Sequence, residues 1–561
     1  MSKFVIYQVV PRLFGNYTTT NKYNGSIEEN GCGKFNSFTA KALSEIKALG
    51  VTHVWYTGVI EHATQTDYSQ YGIQPDHPGV VKGKAGSFYA IKDFYDVDPD
   101  LAEDVPARME EFENMVKRTH DAGMKVIIDF VPNHVARNYH SDVKPKGVKD
   151  LGETDNPDWA FSPLNNFYYL PGEHFRPQFD AQGYEEYPAK ATGNDNFTSN
   201  PSVYDWYETV KLNYGVNYKG GGEKQFDPIP DTWVKMRDIL LFWASKKVDG
   251  FRCDMAEMVP VEFWNWALTQ VKAKYPKLVF VAEVYNPSLY DNYVVHGKFD
   301  FLYDKVGMYD LLRNVASRNL AATNISAVWQ KLGGLEHVML NFLENHDEQR
   351  IGSGFFSGTG FYAHPAMIVS ATLTKAPVMI YFGQELGELG MEAEGYSGMD
   401  GRTTIFDYWG LKTIQSWANN GAFDGAHLNQ DQKDLRHFYS KLLHICTQEK
   451  AITDGLMFDL AYANIQNPKF NSHKQYAFLR MHKDQLVLVV VNFDDKFLET
   501  EIVIPHDAFE YLGLKEYKKH SCVDLLDETA VYEDVILSAT DVLRTTMKPW
   551  SGKILKFKIL K

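Results

Sequence analysis

Four short segments of the 561-residue chain end apolar runs in acidic residues, three of them with an arginine, a histidine or an asparagine nearby: D-F-V-P-N-H at 129–134, D-G-F-R-C-D at 249–254, V-A-E-V at 281–284 and F-L-E-N-H-D at 342–347. One aspartate at the end of an apolar run is ordinarily a helix cap or a surface charge. Several carboxylates gathered together are costly unless cations or protons compensate them, so a set that brings Arg252, His134 and His346 with it calls for a chemical reason. Glycoside hydrolysis supplies one. It needs a carboxylate as nucleophile or base and a carboxylic acid to protonate the leaving oxygen, and a retaining enzyme keeps the two about 5 to 5.5 Å apart.

Side chains from distant segments meet only if a scaffold brings their ends together. Apolar runs at 4–10, 52–57, 125–131, 248–253, 278–282, 299–303, 338–343 and 377–382 alternate with helical patterns, as at 107–122, where a helix stops at Gly123. Eight βα units of this kind predict an α/β fold, a (β/α)₈ TIM barrel, and function in such a barrel collects at the carboxyl ends of the strands. Asp129 and His134 then lie at the end of strand three, Arg252 and Asp254 end strand four, Glu283 ends strand five, and His346 and Asp347 end strand seven. Strands four and five are neighbours, which makes Asp254 as nucleophile and Glu283 as acid/base a reasonable pair. Arg252, two residues before Asp254, points to the same side and keeps that carboxylate ionised, while Glu283 must hold its proton.

A polar, Gly- and Pro-rich interval at 134–231 is too long for a loop and reads as an excursion domain after strand three. The barrel then occupies 1–133 and 232–450. From 451 to 561 strands follow one another without helices, at 475–481, 486–492, 501–504 and 554–559, predicting a C-terminal antiparallel β-domain, a β-sandwich.

Composition narrows the function classes. Net charge is −15 with no basic tract, which argues against nucleic acid as partner. No apolar run reaches the roughly 18 to 20 residues of a membrane helix. The four cysteines, Cys32, Cys253, Cys446 and Cys522, form no C-x-x-C pair and are expected to be free thiols. Cys253 is expected to turn away from its neighbours Arg252 and Asp254 and to pack as a small apolar group. Gly220 to Gly222 precede no G-K-[ST], so a rim loop is the better reading than a phosphate cradle. The N-terminus reads as a strand, not a signal peptide, so the expected location is the cytoplasm, or a secreted or periplasmic one if a leader has been removed.

The four segments, in this order and on these strands, resemble the conserved regions of the α-amylase family of retaining α-glucan hydrolases and transglycosylases. The resemblance extends to Y-Q-V-V-P-R-L-F at 7–14, G-S-F-Y-A-I-K-D-F-Y at 86–95 and P-V-M-I-Y-F-G-Q-E at 377–385. It implies Asp254 as nucleophile, Glu283 as general acid/base and Asp347 as the carboxylate that holds sugar hydroxyls. His134, Arg252 and His346 would line the same subsite, and Tyr89 would stack on the sugar being cleaved. Asp129 is implied as a structural partner of the arginine, outside the catalytic set.

Two departures stand out. Many members bind calcium through an asparagine matching Asn133 and an aspartate in a D-L-N segment. The match here is Lys211-Leu212-Asn213, and an ammonium in that place repels a divalent cation and is able to occupy the site itself. No cofactor is required on this reading, and calcium there is an open alternative that Lys211 disfavours. Met255 to Met258 also differ from the Lys-His of familiar α-amylases. The function expected is hydrolysis of α-1,4 links in starch, maltodextrin or related oligosaccharides. Transglycosylation, α-1,6 or disaccharide cleavage, and, more remotely, a non-catalytic sugar-binding role stay open, as do endo or exo action and oligomeric state.

Overall fold

A computed structural model describes residues 3–516 and 518–558. Its centre is a barrel of eight parallel strands: β1 (Val5–Val9), β2 (His53–Tyr56), β3 (Lys125–Phe130), β4 (Gly250–Cys253), β5 (Val279–Ala282), β6 (Phe301–Tyr303), β7 (Met339–Leu340) and β8 (Val378–Tyr381). They pair in chain order from β1 to β7, with β8 on the other side of β1. A parallel bridge from Asn341 to Val378 closes the ring between β7 and β8. All eight strands expected from the apolar runs are present, each within the span expected of it.

The strands form where they do because both faces are covered. Every residue of β1, β2, β4, β7 and β8 is buried, the mark of a parallel sheet enclosed by helices. The outer layer includes α1 (Ala40–Lys47), α2 (Arg108–Asp121), α3 (Asp231–Ser245) and α4 (Val261–Lys274). In α1 the Thr39 hydroxyl accepts the Ala42 N–H, and Ala42, Leu43 and Ile46 supply the buried stripe. Gly250, the first residue of β4, allows β5 to approach: a Cβ there would stand 2.6 Å from the Val279 carbonyl oxygen. From that start the β4–β5 ladder runs in register to Cys253 and Ala282, which brings the carboxyl ends of the two strands side by side.

Residues 134–231 leave the barrel after β3 and carry three short antiparallel pairs, His134–Ala136 with Thr209–Lys211, Tyr169–Leu170 with Ala189–Lys190, and Val216–Asn217 with Glu223–Lys224. The first pair sets His134 opposite Lys211.

The C-terminal part is an antiparallel sheet of β9 (Leu456–Asp459), β10 (Gln475–His482), β11 (Gln485–Asn492), β13 (Lys518–Asp524), β14 (Asp527–Leu537) and β16 (Ser551–Lys558), with β12 (Leu498–Val503) and β15 (Val542–Met547) as a separate pair. Alternation on β11 splits its side chains between two cores. Val487, Val489 and Val491 join the barrel's cluster, while Leu486, Leu488 and Val490 pack with Ile502, Leu543 and Met547. The strands expected at 475–481, 486–492 and 501–504 are seen with ends shifted by one to three residues; in that expected at 554–559, residue 559 lies outside the described residues. Among the described residues no helix is long and apolar enough to cross a membrane.

Candidate active site

The ladder between β4 and β5 pairs Cys253 with Ala282, so the next residues, Asp254 and Glu283, emerge side by side. Both are buried, at 5% and 3% exposure. Arg252 binds the two together: Nη1 donates to Asp254 Oδ1 at 2.7 Å, and Nη2 makes an ion pair with Glu283 Oε2 at 2.7 Å. Its third acidic neighbour is Asp129, 3.5 Å from Nη1, directly opposite it in the β3–β4 register. Asp129 is itself held by the Trp55 indole N–H. The guanidinium is enclosed by the rings of Trp55, Tyr89 and Tyr303, each about 5.5 Å away or less.

Glu283 has two further donors, the Tyr285 hydroxyl to Oε1 at 2.5 Å and the Met255 N–H to Oε2 at 2.7 Å. Met255 reaches that position in a left-handed conformation, φ 41°, uncommon for a residue with a side chain. Glu257 then accepts the N–H groups of Tyr285 and Asn286. The segment that departs from the Lys-His pattern thus holds the Glu283 carboxyl and the backbone just beyond it.

Asp347 follows β7 across the cavity and is 35% exposed at its side chain. His346 Nε2 lies 3.0 Å from Asp347 Oδ2 and 2.6 Å from the Tyr89 hydroxyl, and the Tyr396 hydroxyl donates to Asp347 Oδ1 and the His346 carbonyl. Burial pushes Asp347 upward, but His346, Arg252 and Tyr396 outweigh it and hold the carboxyl at about 2. For Asp254 the balance is reversed. Burial, then the charges of Glu283, Asp129 and Asp347, push it well above the usual carboxylate range against the pull of Arg252. The pull of Arg252 is outweighed, contrary to the expectation that it alone keeps the Asp254 carboxylate ionised, because three further carboxylates share the buried site. Arg252 stays charged: burial lowers it, and the acidic groups around it, Glu283 first, more than restore it. His134 is lowered to about 3 by burial and by Lys211, so its imidazole is neutral.

These residues open into one cavity of about 660 Å³. Asp254, Glu283, Asp347, Tyr89 and His134 line it. Arg252 and His346, each 1% exposed, stand one layer behind the wall and act on it through the carboxylates and Tyr89. Tyr285 and Tyr396 also line the cavity and were not among the expected site residues. Tyr285 was within reach of a period-two argument, two residues beyond Glu283 on the same side. Tyr396 lies in a loop beyond β8 and has no such signal.

Lys211 lies at the base of the excursion, 2% exposed, with Nζ 2.5 Å from Asn133 Oδ1, 2.6 Å from Asp195 Oδ1 and 3.4 Å from the Met258 carbonyl. An ammonium thus stands where these three oxygens converge. Cys253 is fully buried, and burial raises its thiol well above the usual range, so it is inert.

A family model for the α-amylase catalytic domain matches residues 8–441. The chain is 24% identical over 450 residues to α-amylase 3 of Dictyoglomus thermophilum, covering 75% of this chain and 79% of that one. It is 22% identical over 550 residues to a cyclomaltodextrinase of Thermoanaerobacter pseudethanolicus, covering 95% and 77%. The fold is shared with the acarbose complex of an α-amylase from Geobacillus thermoleovorans at a TM-score of 0.61 and 17% identity, over 100% of this chain and 99% of the other. With the model spanning most of the chain and the barrel and its acidic cluster in place, the protein belongs to the α-amylase family and is a glycosidase of that family.

Proposed function

We propose that the protein is a retaining hydrolase of α-1,4-glucosidic bonds in starch, maltodextrins or related oligosaccharides. The observation that carries this reading is the single Arg252 guanidinium bridging Asp254 and Glu283, which keeps the two carboxyls close together, as a retaining pair requires. Asp254 attacks the anomeric carbon and forms a glycosyl ester as Glu283 gives its proton to the departing oxygen. Glu283 then takes a proton from water, which attacks the same carbon and releases Asp254. Asp347, held ionised by His346 and Tyr396, accepts sugar hydroxyls, and Tyr89, its hydroxyl fixed by His346, offers its ring to the sugar. The α-glucan assignment is supported by the activities of the relatives and by acarbose bound to a fold neighbour. No calcium is required at the Asn133 position, where Lys211 supplies the positive charge.

The test is chromatography of products from maltoheptaose and from soluble starch. Shorter maltooligosaccharides alone support hydrolysis; products longer than the donor make the enzyme a transglycosylase; no turnover of either overturns the substrate class.

A further inference from the structure

One member of the cavity wall has no part in the chemistry above. Tyr204 is 93% exposed, more than any other large apolar side chain among the described residues, yet it lines the catalytic cavity. A single exposed tyrosine is ordinary; a tyrosine carried on a hydrogen-bonded turn at the mouth of a sugar site is not. Its N–H donates to the Ser202 hydroxyl, and Ser202 in turn donates through both N–H and Oγ to Asp205 Oδ2 at 2.7 and 2.8 Å. Asn194 donates to the other oxygen of Asp205, and Lys82 to the Asp205 carbonyl. Two residues on, Trp206 packs its ring 5.2 Å from that of His134. The turn is thereby tied to the end of β3, and the Tyr204 ring is presented without a protein partner on either face.

A pyranose offers a face of C–H groups that suits an aromatic plane, and its rim of hydroxyls needs donors and acceptors nearby. The Lys82–Glu208 ion pair, 3.0 Å apart, provides both in the same wall. We propose that Tyr204 is a stacking platform for a second glucosyl unit, adjacent to the one cleaved, and that it sets a preference for chains over single glucosides. The turn that carries the ring is already ordered, so binding fixes only the side-chain torsions of Tyr204 and part of the stacking gain appears as affinity. This inference rests on the α-glucan reading.

The experiment compares wild type, Y204A and Y204F on maltoheptaose and on α-glucosyl fluoride, a one-sugar probe. Y204A should raise KM for maltoheptaose roughly tenfold, the scale of one lost ring contact, with kcat little changed. Y204F should restore it, and all three proteins should turn over α-glucosyl fluoride alike. An unchanged KM in Y204A, a loss in Y204F as large as in Y204A, or a parallel loss on α-glucosyl fluoride would overturn the platform. If wild type turns over neither compound, the α-glucan reading fails instead.

Discussion

Replacing Lys211 with methionine removes one positive charge while keeping most of the volume of its stem. The Nζ atom sits 2.5 Å from Asn133 Oδ1 and 2.6 Å from Asp195 Oδ1. Asp195 is 40% exposed at its side chain, so water replaces the lost partner and that half of the interaction is worth about 1 kcal/mol or less. Asn133 is fully buried, and leaving its carbonyl oxygen without a donor costs about 1 to 3 kcal/mol. The sum, about 1 to 4 kcal/mol, corresponds to a fall in Tm of about 1 to 3 °C, because a chain of 561 residues unfolds with an entropy of about 2.1 cal/mol/K per residue. Thermal unfolding of wild type, K211M and K211D, each with excess EDTA and with excess calcium, reads the effect. Wild type should be indifferent to both additions, and K211M should be destabilised without rescue by calcium. K211D adds a carboxylate to the Asn133, Asp195 and Met258 oxygens and should become calcium-responsive. A wild-type Tm that falls in EDTA, or a K211M protein as stable as wild type, would refute the reasoning.

D254N and E283Q should each lower kcat on maltoheptaose by roughly 10⁴-fold, while circular dichroism and Tm show the fold intact, because each removes a chemical role and almost no volume. Relief of the crowding that raises Asp254 should leave D254N at least as stable as wild type. Y396F removes the hydroxyl that steadies Asp347 and the His346 carbonyl, and should cost about tenfold in kcat/KM with little change in Tm. Glu344 is raised from 4.5 to about 7 by burial, with Arg350 and the Ile351 N–H pulling the other way. A carboxyl whose folded pKa lies above its unfolded one gives stability that is full below pH 4.5 and lost as pH rises through 7. E344Q does not titrate, so urea unfolding should show it gaining about 3 kcal/mol relative to wild type between pH 4.5 and pH 8. A difference independent of pH would contradict that assignment.

The barrel was legible because its strands are buried on both faces and therefore read as continuous apolar runs, as in K-V-I-I-D-F and V-M-I-Y. Strand seven shows where the pattern misleads. The run at 338–343 is apolar throughout except for Asn341, but regular pairing stops at Leu340, since Asn341 bridges to β8 and the chain then turns toward the site. The carboxylates were legible for a related reason: register fixes which residue follows the last ladder pair, and for β4 and β5 those are Asp254 and Glu283. Periodicity gives the side a residue faces but not its depth, so Arg252 and His346 were expected in the wall and stand behind it. Tyr396 and Tyr204 reach the cavity through loops whose course depends on tertiary packing, and nothing local in their segments marks them.

The most direct test of the central claim is a trapped intermediate. E283Q incubated with α-glucosyl fluoride, whose fluoride departs without a proton from Glu283, should accumulate a covalent glucosyl adduct, which mass spectrometry of the digested protein should locate on the peptide containing Asp254. An adduct on another carboxylate would reassign the nucleophile, and fluoride release giving β-glucose with no adduct would contradict a retaining mechanism.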